Sequence, residues 1–308
     1  MSKKWQRLVP GDVVDIIAPG FKPDDEEFNQ GLLQLVEWGL EPRYPKDIFG
    51  KDLLCAQSKS KRSQYFRHAL EALDSKVIWC ARGGYGSVQI LEELEKMSEP
   101  KKVKLLIGYS DISVLHNYLI KKWDWPVLHG SLIDGLGSDR VSRTSIRFLR
   151  DALFKDRDFS YAMKPLNSQA LSSQEVKGRV LGGNLAMMQT TLGTSVQVDL
   201  KDSILFLEDT GERGYKIERM LIHLAQATRW KGMKALVFGD FKGGDEPNGK
   251  NLIKKVMKRW AEQQEFPVFA NLPCGHSELQ HPLFLNTSAR LVGGERGALW
   301  FSSGARYL

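Results

Sequence analysis

Between Asp12 and about Ala152, short apolar runs alternate with amphipathic helical patterns, and this alternation leaves few folds open to the chain. Residues 13–18, 77–81 and 103–107 are apolar almost throughout, whereas Phe28, Leu32, Leu35 and Val36, then Ile90, Leu91 and Leu94, then Ile112, Leu115, Tyr118 and Leu119 recur at helical spacing. A strand that is apolar on both sides must be covered on both sides. Such strands, separated by helices, predict a parallel sheet with helices on its two faces.

In sheets of this kind ligands bind beyond the carboxyl ends of the strands. Two segments fall at such ends: Gly108-Tyr109-Ser110-Asp111 after the run 103–107, and Arg82-Gly83-Gly84-Tyr85-Gly86 after the run 77–81. A serine at a strand-to-helix turn projects its hydroxyl from the sheet edge, beside the first free N–H groups of the helix, as an acyl-transfer nucleophile requires. The same placement suits an N-cap, so Ser110 needs partners before it reads as a catalyst. Ile112 stands where a G-x-S-x-G elbow has its second glycine, which excludes that signature. The glycine loop has no G-K-[ST] ending, and Gln89 stands where G-x-G-x-x-G has its third glycine, so neither phosphate motif is met. Its N–H groups instead suit an oxyanion, and Arg82 suits a carboxylate.

With 308 residues the chain has room for two domains. Its formal charge of +7 is spread over short interrupted runs around Lys59, Lys61 and Arg62 and around Lys101, Lys102 and Lys104, so no nucleic-acid stripe is expected. The apolar run after the basic first residues is short and holds Asp15. It is read as neither a signal segment nor a membrane span, and a cytoplasmic protein with no membrane partner is expected. Cys55, Cys80 and Cys274 form no C-x-x-C pair, and Cys274-x-His276 alone is too sparse for zinc, so neither a disulfide framework nor a metal site is expected.

Residues 155–177 turn polar and lose any clear period, and are read as a connection between an N-terminal domain over 1–154 and a C-terminal domain over 178–308. The second domain is expected to contain helices over 185–192, 215–227 and 252–260 and strands over 203–207, 235–239 and 268–269. A serine nucleophile needs a base and a group that orients that base. His68 and His223 fall on charged helices, and His116, six positions after Ser110, points away from it. His129 opens a small loop and suits a supporting role, while His276 lies in a loop just after a strand, which makes it the better base. Glu208 closes the apolar run 203–207 and suits either the orienting acid or a strand-ending loop residue.

Taken in order, Gly11-Asp12, Ala18-Pro19, Arg82 to Gly86, Gly108 to Asp111, Gly182-Gly183-Asn184-Leu185, Leu207-Glu208-Asp209 and Gly275-His276 make the chain resemble the LD-carboxypeptidase family of serine peptidases. That family includes murein tetrapeptide carboxypeptidases and microcin C immunity peptidases. The resemblance implies an α/β fold of two domains: an N-terminal parallel-sheet domain, flavodoxin- or Rossmann-like, and a C-terminal mixed α/β domain with a barrel-like sheet. It implies a triad of Ser110 as nucleophile, His276 as base and Glu208 as its orienter. An oxyanion hole would come from N–H groups at Asp111 and in the Gly83-Gly84 loop, with no cofactor and no metal. It also implies a site at the domain interface, a homodimer, and removal of the terminal D-alanine from a murein tetrapeptide. Gly20-Phe21 stands where the family tends to have serines after Ala18-Pro19.

Two other functions remain open on the sequence. An immunity-type peptidase would cut a peptide-nucleotide with the same triad, but needs an aromatic wall for the base that the segment 209–215 does not offer. An inactive peptide-binding homologue would have no use for the three triad residues together.

Overall fold

In the computed structural model, which describes residues 3–172 and 175–301 and the backbone of 305–306, the chain forms a sheet and a barrel. A short strand β1 (Trp5–Gln6) stands outside both. The strands β2 (Val13–Ile17), β3 (Glu41–Arg43), β4 (Ser75–Cys80), β5 (Leu105–Gly108) and β6 (Val127–His129) are parallel, in the order β6-β5-β4-β2-β3; β2, β4 and β5 are the expected apolar runs, and the short β3 and β6, which ends on His129, are additional to them. Every residue of β5, and Val77 to Cys80 of β4, is buried, as strands covered on both faces must be. Each such Val, Ile or Leu contributes roughly 1.5–3 kcal/mol by leaving water. Helices Asp25–Glu37, Lys59–Glu71, Ser87–Glu95 and Ser113–Trp123 alternate with these strands.

The second half closes a barrel from β7 (Phe159–Pro165), β8 (Glu175–Asn184), β9 (Ser203–Thr210), β10 (Ala235–Lys242) and β11 (Val268–Ala270), after which β12 (Leu283–Leu285) leaves it and β13 (Ser288–Val292) and β14 (Gly297–Phe301) complete it. Strands β8 to β11 are parallel to one another, and the remaining pairings around the barrel are antiparallel. The last strand, β15 (Ala305–Arg306), pairs with β1.

Two further differences from the sequence reading bear on how the halves meet. The stretch 155–177 is not a plain connection: β7 lies within it and pairs with β11 and β14. Phe159, Tyr161 and Met163 are buried while Ser160, Ala162 and Lys164 are exposed, a period-two alternation whose exposed half reads as loop. The second difference is β12, which joins the first sheet antiparallel to β6, with Leu283 opposite His129. The carboxyl half therefore supplies an edge strand to the amino-terminal sheet and fixes the two halves to each other. Among the described residues no helix is long and apolar enough to cross a membrane.

Candidate active site

Three adjacent strands, β2, β4 and β5, release their loops side by side at the carboxyl edge of the first sheet. The β5 loop carries Ser110. Tyr109 is extended, and Ser110 then adopts φ +64°, a left-handed conformation that a non-glycine residue seldom takes. The chain continues through a 3-10 turn, Ser110–Ile112, into the helix Ser113–Trp123. The helix thus starts at Ser113, one residue past the Ile112 from which the apolar spacing runs. A strained strand-to-helix turn of this kind is the geometry that a nucleophile requires.

The β4 loop supplies Arg82 to Gly86. A Cβ on Gly83 would come within 3.1 Å of the Ser110 Cβ and 3.4 Å of its Oγ, so the missing side chain is what lets this backbone approach the serine. The Gly83 carbonyl accepts a 2.8 Å hydrogen bond from the Phe21 N–H of the β2 loop. A trans peptide is planar, so this bond turns the Gly84 N–H away from Phe21. Asp111 is buried, and its Oδ2 accepts from the Ser87 N–H at 2.8 Å, which joins the serine turn to the helix that follows the glycine loop. Burial pushes the Asp111 carboxyl up, against the opposing pull of the Ser87 hydrogen bonds.

Arg82 is not free. Its Nη1 lies 2.9 Å from the buried Asp134 Oδ2, which also receives Arg140 Nη2 at 3.1 Å. The Arg82 side chain remains one-third exposed.

The barrel supplies the other half of the site. Glu208 lies fully buried in β9, in register with Asn184 of β8. His276 follows Gly275, which adopts φ +143° where a Cβ would meet the Asp240 Cβ at 2.8 Å. The His276 Nδ1 is 2.6 Å from the Glu208 Oε2. A carboxylate only accepts, so Nδ1–H donates and Nε2 is the nitrogen available as a base. Burial works against the imidazolium, but the Glu208 charge and hydrogen bond, with Asp209 and Asp240 beyond, outweigh it and raise the His276 pKa above its ordinary value. The Tyr109 ring stands edge-on to the His276 ring at 4.7 Å between centroids. The residue next to Ser110 therefore packs on the imidazole of the other half.

The other histidines and the cysteines fall elsewhere. His68 and His223 are exposed on their helices, and His116 is buried in the core. His129 is enclosed between Tyr109 at 5.7 Å and Phe206 at 5.0 Å, and burial drives its pKa far down, so it supports the site as a neutral ring. Burial raises the Cys274 thiol well above its ordinary value, against a nucleophilic role. Among the described residues no three His, Cys, Asp or Glu side chains gather as metal ligands.

Residue-by-residue reading misses the joint between the halves. The Ser113 Oγ, three residues past Ser110, accepts the Asn184 N–H at 3.0 Å. Asn184 Nδ2 donates to the Asp209 Oδ1 at 3.0 Å, and the Asp209 Oδ2 accepts the Ala186 N–H at 3.0 Å. Burial, with Glu208 beside it, pushes Asp209 up to about 6. Gly183 has φ +140°, and a Cβ there would stand 2.6 Å from the Ser113 Oγ. The signal was present as Gly182-Gly183-Asn184, but its partner lies 71 residues upstream.

Comparison with known families decides the assignment. The models of the LD-carboxypeptidase N-terminal domain and the LD-carboxypeptidase C-terminal domain match residues 14–130 and 177–291. The chain belongs to the LD-carboxypeptidase family. The protein RP402 of Rickettsia prowazekii is 37% identical over 261 residues, which is 82% of this chain and 80% of that protein. The murein tetrapeptide carboxypeptidase of Pseudomonas aeruginosa is 28% identical over 284 residues, 89% of this chain and 91% of that one. Among solved structures, the muramoyltetrapeptide carboxypeptidase of Oxalobacter formigenes superposes with a TM-score of 0.82 at 26% identity, covering 96% of this chain and 99% of that one. An MccF-like protein of Bacillus anthracis superposes with a TM-score of 0.85 at 21% identity, covering 97% and 99%, a likeness of fold alone. This LD-carboxypeptidase family member is thus a peptidase of the α/β type, with its sheet and barrel both accounted for.

Proposed function

We propose that this LD-carboxypeptidase family member is a serine carboxypeptidase that removes the terminal D-alanine from murein tetrapeptide. The observation that carries the reading is the buried Glu208–His276 pair packed against Tyr109, the residue before a serine held at φ +64°. The name borne by the Pseudomonas aeruginosa relative supplies the substrate class.

In this reading His276 Nε2 takes the Ser110 proton as Oγ attacks the carbonyl carbon that bears D-alanine. Glu208 holds the ring through Nδ1 and stabilises the imidazolium that forms. The oxyanion is received by N–H groups at Asp111 and in the Gly83-Gly84 loop. Collapse breaks the C–N bond, His276 returns its proton to the departing amine, and D-alanine leaves. Water then attacks the ester with His276 again as base, releasing the tripeptide and restoring Ser110. Arg82, anchored on Asp134, offers its exposed edge to the carboxylate of the leaving residue. The reading takes the protein as a cytoplasmic homodimer that needs no cofactor and has neither nucleic acid nor membrane as partner.

The test compares kcat/KM for L-Ala-γ-D-Glu-meso-diaminopimelyl-D-Ala with that for aspartyl sulfamoyl adenosine. The tetrapeptide is expected to be the better substrate by at least about tenfold, which corresponds to roughly 1.4 kcal/mol at the transition state. The reverse order would instead assign the same triad to peptide-nucleotides.

A further inference from the structure

Arg62 lies in the helix Lys59–Glu71, away from the reacting atoms, yet the residue is only 2% exposed. All three nitrogens of its planar fork donate. Nε donates to the Gln57 carbonyl at 2.8 Å, and Nη1 donates to the Pro19 carbonyl at 2.5 Å and the Gly86 carbonyl at 2.9 Å. Nη2 donates to the Gln89 side-chain oxygen. One cation thus holds the β2 loop at Pro19 and the β4 loop at Gly86 together.

These two loops form the wall of the serine site. Phe21 fixes the Gly83 carbonyl, the Ala56 N–H fixes the Gly20 carbonyl at 2.8 Å, and Asp111 fixes the Ser87 N–H, but these are single bonds at the ends of the two segments. Arg62 alone among the described side chains donates to both loops from one group. The third glycine of the loop is explained by the same contact. Gly86 has φ +140°, and a Cβ there would lie 2.7 Å from Arg62 Nη1 and 2.6 Å from the Pro19 carbonyl oxygen.

We propose that Arg62 is a positioning residue for the reaction, setting the spacing of the Pro19–Phe21 and Gly83–Gly86 loops and so the aim of the N–H groups that receive the oxyanion. This rests on the reading of Ser110 as nucleophile. A lysine carries the charge but, as a point donor, cannot reproduce the fork that spans both carbonyls. The effect should appear in turnover, since the oxyanion exists only after attack, and not in ground-state binding. The Glu208–His276 pair lies in the other half of the molecule, so the protonation of the base should be untouched.

The experiment uses Arg62→Lys, Arg62→Ala and Gln89→Ala in the full chain, with folding followed by circular dichroism. D-alanine release gives kcat and KM, and a neutral aryl phosphonate ester, which places an oxygen in the oxyanion site, gives the rate of Ser110 labelling by intact mass. Arg62→Lys is expected to lose about 10- to 100-fold in kcat, less than or up to the loss of one direct donor, with KM within about threefold. Labelling should slow in parallel and the acid limb of the pH profile should stay in place. Guanidinium chloride at millimolar concentration should restore part of the Arg62→Ala rate and none of a Ser110→Ala rate. Gln89→Ala, which of the Arg62 bonds frees only the one at Nη2 and also removes the Gln89 contacts with Cys55 and the Tyr85 hydroxyl, should lose about two- to fivefold in kcat with the same signature, and it serves if the Arg62 variants do not fold. A folded Arg62→Lys, or Gln89→Ala in its place, that labels and turns over at the wild-type rate would overturn the proposal, as would a loss confined to KM or a displaced acid limb. A wild-type protein that the phosphonate does not label at Ser110 would instead overturn the nucleophile assignment, and this proposal with it.

Discussion

The His276 Nδ1 lies 2.6 Å from the Glu208 Oε2, between a loop after β11 and the buried middle layer of β9, with Glu208 wholly out of solvent. In the proposed mechanism a carboxylate so placed fixes and charge-stabilises the imidazole. Glu208→Gln keeps the shape, removes the charge and lets the side-chain amide favour the wrong tautomer. We expect kcat/KM to fall by about 10²- to 10⁴-fold with little change in the far-ultraviolet spectrum. A loss below tenfold would show that Glu208 does not orient the base.

The same pair sets a pH dependence. Catalysis needs neutral His276, and its pKa is raised above the ordinary 6.5, so the acid limb of kcat/KM should have its midpoint above pH 6.5. Because the folded-state pKa is the higher one, the pair's contribution to stability is fully present below about pH 6.5 and is lost as pH rises through the folded value. The difference in Tm between the wild type and His276→Gln should accordingly be larger at pH 5.5 than at pH 8.5. A limb at or below pH 6.5, or a Tm difference that grows with pH, would contradict this sign.

Strain at Ser110 predicts a separation of activity from stability. Alanine at φ +64° retains the left-handed penalty, whereas glycine does not. Both Ser110→Ala and Ser110→Gly should be inactive, and the glycine variant should be the more stable by about 0.5–1 kcal/mol in urea unfolding. Equal stability would show that the surroundings relax around residue 110.

The joint between the halves predicts a distant effect on activity. A methyl group at position 183 would need the Ser113 Oγ to move from 2.6 Å, on a backbone at φ +140° that disfavours any side chain. Gly183→Ala should cost about 1–3 kcal/mol of stability and lower kcat, since it separates the Ser110 helix from the strand next to Glu208. Unchanged stability and turnover would remove Gly183 from the account.

Arg82 predicts a dependence on the free carboxyl end. Arg82→Gln should raise KM for the tetrapeptide by about tenfold or more, the scale of a lost charge-assisted hydrogen bond, and leave KM for the corresponding D-alaninamide peptide unchanged. Equal effects on both peptides would assign Arg82 to its bond with Asp134 and not to substrate.

Much of the first sheet was legible because its strands are apolar on both faces and its helices show one apolar stripe, two signals that are local in sequence. The barrel was less so. Strand β7 alternates buried Phe159, Tyr161 and Met163 with the exposed Ser160, Ala162 and Lys164, and β12 pairs with β6 across more than 150 residues, with Leu283 opposite His129. Local composition carries neither fact. Ser110, Glu208 and His276 stood out as a strand-end serine, a strand-end carboxylate and a loop histidine, but only their order within the family pattern selected them from alternatives. Arg62 and Ser113 stayed invisible for a physical reason. Each acts through hydrogen bonds to backbone of a segment at least 24 residues away in sequence, and helical spacing marks the face on which a polar residue lies but not the distant backbone that it meets.

The most direct measurement is D-alanine release from L-Ala-γ-D-Glu-meso-diaminopimelyl-D-Ala by the purified wild-type protein and by Ser110→Ala, each shown to be folded. Release by the wild type and none by the variant is the predicted result, and it would establish both the reaction and its nucleophile. Release by both at similar rates, or by neither, would contradict the assignment of Ser110 to this chemistry.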